Sequence, residues 1–141
     1  MWNLVWPILL VILSNIFYHI CSKSTPTGVQ PMASLIVTYL VAAAVTAVLY
    51  FFTSPTKNLL QDIKSLNWTS LALGIAVVGL EFGYLQVYRA GWNISVGSLI
   101  ANIGLAIGLA FVGVLLYHEN ISPKQIVGIF MCLAGVAFIS L

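Results

Sequence analysis

ISVGSLIANIGLAIGLAFVGVLLY, residues 94–117, holds no charged side chain and no proline. A helix needs about 20 apolar residues to cross the ~30 Å hydrocarbon core of a bilayer. This run is long enough, and it is apolar on every face, which a water-exposed surface helix is not. Four further apolar runs flank it. They extend roughly from Trp2 to Cys21, from Met32 to Thr53, from Trp68 to Tyr88, and through Ile126 to Leu141. The pattern predicts an all-α integral membrane protein. Its single domain, residues 1–141, has transmembrane helices over about 2–21, 32–53, 68–88, 94–117 and 123–141.

Composition points the same way. Hydrophobic residues make up 61% of the 141 residues and charged residues 6%. A soluble domain carries about 25% charged residues to face water. Five basic and three acidic side chains cannot supply such a surface, which excludes a soluble enzyme, a nucleic-acid binder and a disordered chain. The net charge of +2 is too small to indicate an anionic partner. Cys21 and Cys132 are too sparse for a disulfide scaffold or a metal cage. No cofactor and no metal is expected. The first run lacks a basic leader region and a small-residue cleavage site, so it reads as a span and not as a signal peptide.

The breaks between runs have their own chemistry. Ser24-Thr25-Pro26-Thr27-Gly28 with Pro31 ends the first, and Ser54-Pro55 the second. Arg89-Ala90-Gly91 places a cation and a glycine at a helix end, and Asn93 is positioned to cap the next helix. Ser122-Pro123-Lys124-Gln125 has the form of a capping box. Trp2, Trp6, Trp68 and Trp92 fall at run ends, where interfacial aromatics belong. Leu59, Leu60, Ile63 and Leu66 recur at helical spacing among Lys57, Asp62 and Lys64. That segment reads either as a short helix on the membrane surface or as a polar loop.

Polar groups inside the runs are few. Glu81 is the one acidic residue deep in a span. An ionised carboxylate in hydrocarbon costs several kcal/mol unless it is neutral, paired or wet. Tyr84 and Tyr88 follow it at i+3 and i+7, on the same helix face. A carboxyl beside phenol rings suits an organic cation. It equally suits a proton, and the bland alternative is a protonated structural glutamate. Asn102 lines the same cavity or clasps a neighbouring helix. Asn15, Tyr18 and His19 share a face of the first helix, where His19 is a proton relay or a hydrated interfacial histidine. His118 and Glu119 close the fourth run as cap or anchor. Small residues set helix contacts in lipid. Gly79 with Gly83, and Gly104 with Gly108, form two G-x-x-x-G stripes, which predict close packing of the third and fourth spans. No catalytic constellation is present: there is no Ser-His-Asp set, no H-E-x-x-H and no P-loop.

Leu115-Leu116-Tyr117-His118-Glu119-Asn120-Ile121-Ser122, then Gln125-Ile126-Val127-Gly128 and Leu133-Ala134-Gly135-Val136, resembles the end of an EamA-like domain of the drug/metabolite transporter superfamily. The five-span layout and Lys23 after the first helix fit the same pattern. The resemblance implies an inverted-repeat transporter. Most members carry two such domains in one chain, so a single domain implies assembly from two chains. The chain is also similar in logic to the small multidrug resistance transporters, antiparallel dimers built around a membrane glutamate. Those carry that glutamate in the first helix, whereas here it is Glu81 in the third.

The functional expectation is a secondary transporter at the cell membrane, an antiporter exporting a cationic or amphiphilic small molecule against protons. Its partners would be a second, antiparallel copy, lipid, substrate and the proton, with no nucleic acid. A lipid-linked sugar flippase component and a non-transporting assembly subunit are the alternatives. Loop cations divide two against three, Lys23 and Arg89 on one side and Lys57, Lys64 and Lys124 on the other. So even a split leaves either dual insertion or one slightly preferred topology. Dual insertion predicts that a C-terminal tag is labelled by an impermeant reagent from both sides of the membrane. Labelling from one side alone would contradict it.

Overall fold

The computed structural model describes residues 2–55, 58–120 and 122–140. Lys57 and Ile121, which figure in the charge count and the end motif, lie outside the described residues, as does the side chain of Trp2. Six helices follow in order: α1 Trp2–Ser24, α2 Pro31–Thr53, α3 Leu59–Lys64, α4 Trp68–Arg89, α5 Ile94–Tyr117 and α6 Pro123–Ser140. α1, α2, α4 and α5 are long and apolar enough to cross a membrane, and α6 is a shorter apolar helix over Pro123–Phe138. The chain forms two compact units. One comprises Met1–Lys23 with Ala90–Leu141, and the other Ser24–Arg89.

Burial is inverted relative to a water-soluble domain. The buried hydrophobic residues are Leu35, Leu85 and Tyr88, while Leu13, Phe17, Leu71, Phe111 and Phe138 are broadly exposed. Lipid is as apolar as these side chains, so exposing them there carries no penalty. Packing is pairwise: α2 lies against α4 in one unit, and α5 against α6 in the other. An added Cβ at Gly79, Gly83, Gly104 or Gly108 would meet no atom within 4 Å among the described residues. The two glycine stripes therefore do not make the close approaches within either pair.

Turn chemistry accounts for the helix ends. Gly91 takes φ +93, a conformation that costs a residue with a Cβ. The capping box forms: Ser122 Oγ accepts from the Gln125 N–H at 3.3 Å, and Gln125 Oε1 accepts from the Ser122 N–H at 2.7 Å. Asn93 occupies the N-cap of α5 in extended conformation, yet its side chain makes no capping bond. Asn67 instead caps α4, accepting from the Thr69 N–H and hydroxyl.

The segment between α2 and α4 resolves in favour of a helix. Asn58 Oδ1 accepts the Gln61 N–H at the start of α3. The Tyr50 hydroxyl, near the end of α2, donates to Asp62 Oδ2 at 2.5 Å. A phenol on a spanning helix thus tethers the one acidic residue of α3. Tyr50→Phe should remove a bond to a charged acceptor, worth about 1.5 kcal/mol. Amide exchange over residues 59–64 should quicken roughly tenfold, with exchange in α2 and α4 unchanged. Unchanged exchange in α3 would show that the tether contributes nothing.

Candidate functional site

Glu81 lies within α4, a helix long and apolar enough to cross a membrane. Glu81 is half-buried, Tyr84 is half-buried, and Tyr88 is 5% exposed. The seven-residue spacing keeps the three on one strip of the helix. The rings of Tyr84 and Tyr88 stack at 6.2 Å with 23° between planes. α2 adds a fourth group: the Glu81 carboxylate acts electrostatically on the phenol of Tyr39. The Tyr39 oxygen is buried and has no hydrogen-bond partner among the described residues. Glu81 itself makes no hydrogen bond or ion pair among the described residues. A carboxyl and three phenols thus lie on the α2·α4 pair, and among the described residues Glu81 and the Tyr39 oxygen make no hydrogen bond.

In the sequence Tyr39 is a lone phenol in an apolar run. Its importance comes from the α2·α4 pairing, which no periodicity in either helix reveals. The polar residues of α1 and α5 belong to the other unit. His19 is 7% exposed, and its ring meets Tyr18 edge-on at 5.2 Å. Asn15 is exposed. Asn102 is exposed and donates to Ser98 O of its own helix at 2.8 Å. That bond satisfies the amide donor within α5.

The basic residues at the ends of α1 and α4 are also committed. Lys23 Nζ donates to Trp92 O at 2.8 Å. Arg89 Nη2 donates to Val29 O at 2.5 Å and to Pro26 O at 3.3 Å, while Nε is buried without a partner among the described residues. Arg89 therefore ties the end of α4 to the segment before α2. Cations at helix C-termini also complement the carbonyl ends of the helix dipole.

The sequence profile of the EamA-like transporter family matches residues 5–141. The chain belongs to the EamA-like transporter family. No curated protein and no solved structure matches it. This EamA-like chain is thus a multi-pass membrane protein and a transporter of the drug/metabolite type.

If Arg89 holds the α4 end in place, Arg89→Gln should loosen the Ser24–Gln30 segment without disturbing α2. Limited proteolysis in detergent should then cut between Ser24 and Gln30 several-fold faster than in wild type. Equal cutting rates would mean that the two carbonyl bonds are dispensable.

Proposed function

We propose that this EamA-like protein is a secondary antiporter that exports a cationic or amphiphilic small molecule from the cell in exchange for protons. The observation that carries this reading is Glu81, half-buried on α4 without a hydrogen bond or ion pair among the described residues and within electrostatic reach of the Tyr39 phenol. A buried carboxylate needs a counter-charge or a proton. An organic cation supplies the first, with phenol rings adding cation–π attraction. A proton supplies the second. Binding the two in competition is the elementary condition for exchange.

α6 acts as the fifth span in this scheme, its ~27 Å reaching most of the hydrocarbon core. Two copies inserted in opposite senses form a ten-helix assembly, and the cavity lies at their interface. The unfilled space over Gly79 and Gly83 suits close approach by the second copy. Each subunit contributes one Glu81, so the two carboxyls titrate as a coupled pair. The cell membrane is the location this role requires. A lipid-linked sugar would need cations for its phosphates, and the Lys23 and Arg89 side chains already serve backbone carbonyls. That disfavours the flippase alternative.

Proteoliposomes with an imposed proton gradient test the proposal. Glu81→Gln keeps size and hydrogen bonding but cannot titrate. It should abolish proton-driven uptake of a fluorescent organic cation while the protein stays folded and dimeric. In wild type, protonation removes the charge that attracts the cation, so cation binding should weaken as pH falls. In Glu81→Gln it should be weaker by roughly tenfold, the loss of one charge-assisted contact, and flat with pH. Normal proton-driven transport by the variant would return Glu81 to a structural role.

A further inference from the structure

The α5·α6 pair carries two grooves. One, of about 530 Å³, is walled by apolar residues including Phe111, Val114 and Leu133. The other, of about 350 Å³, is lined by Ile103, Ala106, Ala110 and Cys132, and it includes Glu119 and Gln125 at one end. Its size falls within the range of small-molecule sites. Small residues make the room: Ala106 and Ala110 lie on α5, and a Cβ at Gly128 on α6 would meet nothing within 4 Å.

The carboxylate at the mouth is placed by the backbone. His118 adopts a left-handed conformation at φ 52, and the N–H groups of His118 and Glu119 both reach Gly113 O. The chain turns back, and Glu119 Oε2 comes within 2.6 Å of the point where a Cβ on Gly113 would lie. A Cβ there would require the flexible end of the Glu119 side chain to move. The acid thus sits at the carbonyl end of α5, where the helix dipole already makes the potential negative. Among the described residues it has no hydrogen bond or ion pair through its side chain, and neither His118 nor Lys124 is bonded to it. A negative group at a negative pole calls for a cation.

The groove runs inward from there. From Gln125 to Cys132 it covers about 10 Å of α6 at ~1.5 Å per residue, about a third of the hydrocarbon core. A charged mouth at the membrane boundary leading to an apolar trough along the acyl chains matches one ligand shape, a charged head with a single flexible tail. We infer that the α5·α6 groove is a binding site for single-chain alkylammonium amphiphiles, with the ammonium at Glu119 and the tail between Ala106, Ala110 and Gly128. The site lies wholly within the unit of α1, α5 and α6. It uses none of the Glu81 residues, and it stands whether or not Glu81 couples to protons. A leaflet-facing site of this kind would gather amphiphilic cations from the membrane.

The test uses full-length protein in phosphatidylcholine nanodiscs, with decylammonium as probe and decanol as its neutral counterpart. Empty nanodiscs subtract partition into lipid. Binding is measured in the Glu81→Gln background, which removes the other carboxylate, so that the saturable decylammonium binding that remains reads the α5·α6 groove alone. Adding Glu119→Gln should weaken it roughly tenfold and erase the preference for decylammonium over decanol. Gly113→Ala, which displaces the carboxylate, should act in the same direction. Loss of charge preference separates ligand contact from a merely structural role. Should Glu119→Gln fail to fold, Ala106→Leu decides: it fills the trough, keeps the acid, and should weaken decylammonium binding. Decanol binding as well as decylammonium in wild type would overturn the proposal. So would undiminished binding when Glu119→Gln or Ala106→Leu is added to the Glu81→Gln background. Loss of the site when phosphatidylcholine is replaced by phosphatidylethanolamine would assign the groove to a lipid headgroup and overturn it too.

Discussion

A polar group in hydrocarbon must find a partner within the protein, and the structure follows from how few partners this chain has. Backbone groups are satisfied by helix formation. Thr38, Thr53 and Ser98 return their hydroxyls to carbonyls one turn earlier in their own helices. The charged side chains go to helix ends, where Lys23 and Arg89 take up backbone carbonyls and Asp62 takes the Tyr50 hydroxyl. Glu81 is the exception. It lies inside a span and is left to the phenols around it.

That exception gives α2 and α4 their functional weight. Their pairing places Tyr39 within electrostatic reach of Glu81, and the stacked Tyr84 and Tyr88 rings continue the strip along α4. Leu35 on α2 and Leu85 and Tyr88 on α4 are the buried hydrophobic side chains among the described residues, and they lie on the two helices that pair around the acid. The α5·α6 pair has the opposite character, with two grooves and small residues at its seam.

Four of the five expected spans and several helix ends were legible in the sequence because length and turn chemistry are local, while the last apolar run forms a shorter helix. Gly91 at the end of α4 and the Ser122–Gln125 capping box follow from residue type and spacing alone. Helix faces were not legible. A helix in lipid is apolar all round, so no stripe marks the side that packs. The glycine stripes suggested such sides, yet open space surrounds Gly83 and Gly104 within this chain. Tyr39 is only a mild polar signal in the sequence for the same reason, since its meaning depends on which face of α2 meets α4. Asn93 and Asn102 show a finer limit: each residue type suits capping or clasping, but Asn93 makes no cap bond and Asn102 bonds its own helix. The α3 helix was ambiguous because six residues carry too little periodicity, and the tether from Tyr50 to Asp62 lies outside any local pattern.

The central claim is that the Glu81 carboxyl holds either a proton or an organic cation, and never both. Difference infrared spectroscopy of the protein in lipid reads this directly, since a protonated carboxyl has its own C=O vibration. Adding an organic cation should bleach that vibration while a carboxylate band grows, with proton release to the medium. Glu81→Gln should show neither change. A carboxyl vibration assigned to Glu81 that stays constant when cation binds would contradict the account.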